Sequence, residues 1–270
     1  MVVRDGPHRS APLEVLMLQR SHRADFAGGA YVFPGGALDP GDGGARVERL
    51  CRGLSDDAAS AILGMENGGL AYWVAAVREC FEEAGLLFAR AADGAAVSFS
   101  DPGVAARFAR ARTELLARER SFPEVCESEG LSLSVDALHY VAHWITPAVS
   151  PRRFDTRFFL AAAPEHQSAA HDAGETISHV WVRPADALEH HRAGRMALVL
   201  PTIKNLQAIG RFSTAAELLD AASAVGEVPT VLPRVVRDHS GARLLIPGYD
   251  AGAGAGGPVD LDPAGSLHRG

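Results

Sequence analysis

The sequence predicts an α/β protein in which a mixed sheet lies between helices. Three observations predict it. Short β-branched and apolar runs alternate with segments of helical period along most of the chain. Glycine and proline punctuate the boundaries between them. Of 270 residues, 47% are hydrophobic, enough for one substantial core with appendages or two small ones.

Val2 to Arg4 and Val15 to Leu18 read as short strands separated by a Gly-Pro turn. The first begins almost at Met1, which leaves open whether the natural start lies upstream. The glycine-rich stretch GGAYVFPGGALDPGDGG is loop with a short strand at Tyr31 to Phe33. Residues 45–66 have helical character, with Ser55 as an N-cap ahead of two acids at the helix's positive end. A second helix spans Leu70 to Ala84 and stops at Gly85. Residues 101–129 are helical again, with alternating charges. Strands follow at Leu138 to Ile145, Arg157 to Ala161 and Ile177 to Val182. Pro184 opens a helix to about His191, Pro201 opens another through Gly210, and Thr214 to Ala222 is a third. The expected organisation is a domain over 1–200, with a helical insert at about 43–69 and a helical region at about 101–129. A helical extension over 201–250 and a low-complexity, disordered tail over 251–270 complete it.

Charge and cysteines narrow the function classes. The balance of 26 basic to 33 acidic residues, net −7, argues against a protein that coats nucleic acid. A small anionic substrate would then need a local device: arginines, a helix N-terminus or a divalent metal. No apolar run approaches the ~20 residues of a membrane helix, so no membrane partner is expected. Cys51, Cys80 and Cys126 are scattered and in no zinc-like pair, and a reducing cytoplasm is the expectation. Oligomeric state is not readable.

The informative segment is Arg78-Glu79-Cys80-Phe81-Glu82-Glu83-Ala84-Gly85. On a helix Glu79, Glu82 and Glu83 share one face, opposite Leu70, Val74, Val77 and Phe81. One side packs and the other carries three like charges. At ~6 Å and an effective dielectric of ~20 each pair repels by roughly 3 kcal/mol, and open water reduces this to tenths. In a cleft a divalent cation compensates, since Mg²⁺ prefers carboxylate oxygens, waters and substrate phosphates. A run of glutamates is more often only a solvated face. The upstream loop, Gly35-Gly36-Ala37-Leu38-Asp39-Pro40-Gly41-Asp42, shifts the balance, because its glycines let backbone approach another group closely.

Together these segments resemble the signature of the Nudix hydrolase superfamily: Gly, five residues, Glu, seven residues, then Arg-Glu-x-x-Glu-Glu-x-Gly. Gly36 matches the opening glycine, Asp42 stands where the family has glutamate, and Arg78, Glu79, Glu82, Glu83 and Gly85 match the rest. The resemblance implies a Nudix α/β/α sandwich. It also implies Mg²⁺ or Mn²⁺ held by Glu79, Glu82 and Glu83, and Arg78 fixing the loop acid against the helix. Asp42 is a methylene short of glutamate, which predicts a weaker or rearranged contact to Arg78. Thirty-five residues separate Asp42 from Arg78 where seven are usual, so an insert of 28 residues, roughly Gly43 to Gly69, splits the motif. Its ends must lie together if loop and helix still meet, and a compact excursion adds little closure entropy.

The split motif resembles the branch that includes the animal peroxisomal coenzyme A diphosphatases. HWITPAVSPRRFDTRFFLAA at 143–162 and LMLQRSHRADFAGGAYVFPGGALD at 16–39 resemble that branch too, and the likeness covers about residues 2–210. The His-Arg-Gly end is no peroxisomal address, so only the chemistry carries over as an expectation. The reaction implied is attack of water on a P–O–P linkage of coenzyme A or an acyl-coenzyme A. Arg78 organises the site, and Glu82, or alternatively Glu175, takes the proton. Gly35, Gly36 and at least one of Arg152 and Arg153 are expected to contact substrate. For Arg152, Arg153 and Arg157 the competing reading is surface pairing, for instance with Asp155; for Glu175 it is an exposed loop acid. His139, His143, His171 and His179 read as structural or exposed rather than catalytic. ADP-ribose, dinucleotides, nucleotide sugars and oxidised nucleoside triphosphates remain alternative substrates. A catalytically inactive nucleotide-sensing domain of the same scaffold and a non-enzymatic helical interaction protein are the alternatives from other classes.

Overall fold

The computed structural model describes residues 1–7, 12–24, 27–172, 174–238, 241–247 and 259–260, with backbone alone at 237–238, 241–243 and 259–260. The chain divides into two compact units, residues 1–139 with 159–225, and residues 140–158 with 226–270.

In chain order the strands are β1 Val2–Asp5, β2 Leu13–Arg20, β3 Tyr31–Val32, β4 Ala89–Arg90, β5 Ser132–Leu133, β6 His139–Ile145, β7 Asp155–Ala162, β8 Thr176–Val182, β9 Thr230–Val231, β10 Arg234–Asp238, β11 Gly241–Leu245 and β12 Val259–Asp260. The helices are α1 Ala45–Glu48, α2 Asp56–Leu63, α3 Leu70–Ala84, α4 Pro102–Leu116, α5 Phe122–Ser128, α6 Pro184–Arg192, α7 Leu200–Ile209 and α8 Ala215–Ser223.

The first unit holds a mixed sheet with helices. β2 is its centre: it runs antiparallel to β1 (Val3 opposite Val15), to β3 (Leu18 opposite Val32) and to β8 (Leu16 opposite Trp181). β1 in turn pairs parallel with β7, Val2 opposite Ala161. Val15, Leu16, Met17 and Leu18 are all fully buried, so β2 is covered on both faces, as a central strand between helical layers must be. The predicted mixed sheet is therefore present.

Helix α3 lays Leu70, Val74, Val77 and Phe81 into this core, the face the periodicity assigned. Each such side chain contributes roughly 1.5–3 kcal/mol relative to exposure. Trp73 joins them: its indole Nε1 donates to the Leu138 carbonyl at 3.0 Å and its ring lies 4.7 Å from that of Phe159. Gly85 ends the helix in the left-handed region at φ 68°, its N–H on the Phe81 carbonyl and that of Leu86 on Cys80.

Two expected helical stretches are each broken. In the insert, α1 ends at Glu48 and α2 starts afresh at Asp56, with Ser55 capping the Ala58 amide as predicted. Over 101–129, α4 ends at Leu116, Arg118 turns left-handed (φ 57°), and Ser121 with Glu124 forms a capping box that starts α5.

In the second unit β6 pairs parallel with β9, and β10, β11 and β12 form an antiparallel sheet. Residues 201–250, expected to be a helical extension, contain α7 and α8 but then turn to strands. The β-branched pair Val235-Val236, preceded by Pro229 and Pro233, favours extended backbone over helix there. The disordered tail expected at 251–270 lies outside the described residues apart from β12.

Candidate active site

All residues of the split motif lie in the first unit, and Arg78 joins them. Its Nε and one terminal nitrogen grip the Asp42 carboxylate through two bonds of 2.8 Å, and that second nitrogen also donates to the Ala37 carbonyl at 2.8 Å. The other terminal nitrogen reaches Glu79 at 2.8 Å and Glu82 at 3.0 Å. The Asp42 side chain is 1% exposed and that of Arg78 10%, so this is a desolvated clasp rather than a surface pair. Asp42 closes a 3₁₀ turn over Pro40–Asp42 and accepts from the Asp39 amide at 2.7 Å, which sets its carboxylate square to the guanidinium. The contact expected to be weaker or rearranged for the shorter acid is a bidentate pair, because the turn brings the backbone close enough.

The loop touches the helix at two further points. The Gly35 N–H donates to Glu83 at 2.8 Å. A Cβ on Gly36 would overlap the Glu79 carboxylate, so glycine lets the loop pass with that carboxylate left where it stands. Thus Gly35, Gly36, Arg78, Glu79, Glu82 and Glu83 are brought together as the motif predicts. Glu175 sits exposed just ahead of β8, its carbonyl accepting from Ser21 and its amide held by Asp172, each at 2.8 Å.

Electrostatics separate these acids from ordinary surface glutamates. Burial pushes Glu79 up to about 7 against the opposing pull of Arg78. Burial likewise pushes Glu83 up to about 8, opposed by the Gly35 N–H and reinforced by the charges of Glu79 and Glu175. Glu82 is raised by burial as well. For Arg78, burial alone would weaken its hold on the proton, and the bonds to Asp42 with the charges of Glu79 and Glu82 more than reverse this. Three carboxylates thus face one guanidinium, with a fourth, that of Glu83, beside them on the Gly35 amide, a surplus of negative charge in a partly dry recess.

Among the described residues no three acid, thiol or imidazole groups stand ready to hold an ion as they are. The reason is visible in the bonds: Glu79 and Glu82 turn onto Arg78, and Glu83 onto the Gly35 amide. The donor set nevertheless fits a hard divalent cation, which takes carboxylate oxygens and favours the ionised forms that burial alone resists.

Arg152 and Arg153, expected to contact substrate, belong to the second unit. There Arg153 Nε donates to the Thr146 carbonyl at 3.2 Å. Arg157 pairs with Asp155 at 3.0 Å, the bland reading of that arginine. In the same unit His143 bridges Asp155 (2.6 Å) and Thr230 (2.8 Å), a structural use of a histidine. Sequence reasoning missed Asp172, whose carboxylate holds the Glu175 and Thr176 amides, and Arg112, which reaches α3 from α4. The only available signal for Asp172 was the turn-forming run His-Asp-Ala-Gly-Glu.

The mixed sheet, the Arg78 clasp and the carboxylate helix with its glycine loop are those of a Nudix hydrolase. Residues 56–209 match the family model of the NUDT19 Nudix domain, and the chain belongs to that family. It is 28% identical over 276 residues to the human acyl-coenzyme A diphosphatase NUDT19, covering 90% of this chain and 74% of that protein. The chicken protein of the same name is 28% identical, with 87% and 71% covered. Among solved structures, a NUDIX hydrolase from Alicyclobacillus acidocaldarius superposes with a TM-score of 0.64 at 27% identity, over 84% of this chain and 95% of that one.

Proposed function

We propose that this chain is a divalent-metal-dependent hydrolase of the diphosphate linkage in coenzyme A or its acyl esters. The observation that carries the reading is the buried Arg78 clasp, which reunites the Gly35–Asp42 loop with the carboxylate helix across the insert. The substrate follows from the likeness to the human and chicken acyl-coenzyme A diphosphatases. Glu79, Glu82 and Glu83 would hold Mg²⁺ or Mn²⁺, leaving Arg78 paired to Asp42. Such an ion neutralises phosphate charge and lowers the pKa of a bound water. Glu82 accepts the proton from the attacking water, with Glu175, whose charge acts on Glu83, as the alternative base. The Gly35–Gly36 backbone, which lies against the carboxylate helix, would contact the phosphate chain. Three cysteines free of disulfides fit a reducing compartment, and we place the reaction in the cytoplasm.

The test is a panel of coenzyme A, an acyl-coenzyme A, ADP-ribose, a dinucleotide and a nucleotide sugar, each with Mg²⁺ or Mn²⁺ and with products weighed by mass. Adenosine 3′,5′-bisphosphate from the first two is the expected result. Preferential cleavage of ADP-ribose would overturn the substrate, and cleavage of none of them the activity.

A further inference from the structure

Helix α4 lies outside the split motif, yet one of its side chains reaches the motif's most sensitive turn. Phe108 seats α4 on α3, its ring meeting that of Phe81 edge-on at 6.4 Å and lying 5.3 Å from Phe99. Phe108, Ala111 and Leu115 are buried on this face. Arg112, one turn beyond Phe108, is thereby carried to the C-terminal end of α3. Its Nε donates to the Glu82 backbone carbonyl at 2.9 Å.

That carbonyl is one of the last four of the helix, which have no partner within it. The others named here are met from elsewhere: Phe81 by the Gly85 N–H, and Ala84 by the Ala170 N–H at 2.8 Å. The turn bearing Glu82 and Glu83 is therefore held from outside at both Glu82 and Ala84. A cation there also faces the negative end of the helix dipole. Contact is close, since a Cβ on Gly85 would lie 3.2 Å from an Arg112 terminal nitrogen.

The placement is costly for an arginine. Arg112 Nη2 is shielded from solvent with no hydrogen-bond partner, and burial pulls the side chain's pKa down. What opposes this is chiefly the charge of Asp172. Asp172 is the anchor of the Glu175 loop, accepting from the Glu175 and Thr176 amides at 2.8 Å each. Gln167 ties the same loop to Leu87 by bonds of 2.8 and 3.0 Å. Arg112 thus stands at the junction of the two elements that carry the site's acids.

We propose that Arg112 is a positioning residue for the hydrolysis, fixing the last turn of α3 through the Glu82 carbonyl and setting it against the Glu175 loop. This rests on the activity proposed above, so its test carries a readout independent of activity. Gln places its amide nitrogen where Arg carries Nε, so Arg112→Gln keeps the donor without the charge, whereas Arg112→Met keeps bulk but no donor. Arg110→Met, at an exposed neighbour, is the control. Amide hydrogen exchange over 82–87 and Mn²⁺ binding by paramagnetic resonance are measured beside kcat, KM and Tm. Expected for Arg112→Met is faster exchange over 82–87, Mn²⁺ affinity weakened about fivefold or more, and kcat lowered about tenfold or more with KM within about twofold. Arg112→Gln should recover most of each, and Arg110→Met should match the parent. Exchange, Mn²⁺ affinity and kcat of Arg112→Met all within about twofold of the parent would overturn the proposal, as would a folded Arg112→Gln no better than Met. If Arg112→Met does not fold, Arg112→Lys replaces it, keeping the charge but carrying its donor past the carbonyl. There a tenfold loss of kcat at unchanged KM supports the proposal and a kcat within about twofold refutes it. A parent that cleaves no diphosphate sinks the activity, while exchange and Mn²⁺ binding still decide on Arg112.

Discussion

Asp42→Asn removes the charge at the centre of the clasp and leaves its shape. In the parent, Arg78 makes two bonds of 2.8 Å to a carboxylate that is 1% exposed. Removing one partner of a fully buried pair costs about 3–5 kcal/mol, chiefly by leaving the other charge without compensation. Here the compensation lost is partial. Arg78 retains Glu79 at 2.8 Å, Glu82 at 3.0 Å and the Ala37 carbonyl at 2.8 Å, and asparagine still offers one accepting oxygen. The expected loss is therefore about 2–3 kcal/mol, at or below the bottom of that range. In urea, with m near 2–3 kcal/mol per molar, the midpoint should fall by about 1 M at unchanged m, and Tm by about 4–12 °C. The same substitution should lower kcat, because Arg78 freed from Asp42 turns more fully onto Glu79 and Glu82 and competes with metal. A variant with the parent's midpoint and Tm would show that the clasp contributes nothing net, and the account of how the split motif is rejoined would fail.

Four further outcomes are expected. Gly36→Ala should cost under about 1 kcal/mol, since the new methyl meets the flexible end of Glu79, yet should reduce Mn²⁺ affinity and kcat about tenfold by displacing that carboxylate; wild-type Mn²⁺ titration would contradict it. Glu82→Gln should leave less than about a tenth of kcat, and greater residual activity would remove Glu82 from the roles of ligand and base. Asp42→Glu, which supplies the family's usual acid, should destabilise by about 1–3 kcal/mol because the turn is already packed for the shorter side chain, and a rise in Tm would refute this. Metal-free stability should fall as pH rises. Glu79 and Glu83 titrate at about 7 and about 8 in the folded chain against 4.5 in the unfolded one, so the folded state binds more protons between these values. Their contribution is complete below 4.5 and is lost as pH passes through 7 to 8. Mn²⁺ should reverse the trend, raising Tm more at pH 8 than at pH 5, and Glu83→Gln should flatten the metal-free slope; an equal slope in that variant would disprove the assignment.

What the sequence disclosed and what it hid have separate physical grounds. Helix α3 was legible to the residue because three independent signals agree in it: the apolar period Leu70, Val74, Val77, Phe81, the acidic face, and Gly85 as terminator. The bond between Arg78 and Asp42 was legible only as family pattern, since nothing local in 35 intervening residues says that the two meet. Strand β2 extends past Val15 to Leu18 at both ends, where Leu13 and Glu14 on one side, and Gln19 and Arg20 on the other, lack the β-branched run of a self-evident strand. Pairing with β1 and β8 holds them extended nonetheless. Arg112 was invisible for a like reason. In α4 it is one of several arginines among alanines, and only the docking of Phe108 on Phe81 distinguishes it from its exposed neighbour Arg110.

The insert explains how a motif can be cut without losing its geometry. A Cβ on Gly43 would lie 3.6 Å from Ala71, so the excursion leaves and returns at one place. Its closure is built from α2 itself. One oxygen of Asp56 accepts from the Gly68 amide at 2.8 Å and the other from Leu70 at 2.9 Å, while Ser60 accepts from Gly69 at 2.8 Å. Asp56, the first residue of its own helix, thus also receives the amide that opens α3, which has no side-chain cap of its own. Gly69 passes so near Ala59 and Ser60 that a Cβ there would strike their backbone, which makes the crossing a fixed contact rather than a hinge. The first turn of the carboxylate helix is thus set by the segment that separates it from its loop. Deleting 43–69, which leaves eight residues between Asp42 and Arg78 and so nearly restores the usual seven, would remove the acceptor for the Leu70 amide as well as the excursion. A shortened chain should therefore be less stable and less active than the parent despite the motif it regains, and equal Tm and kcat in that variant would show the insert to be passive.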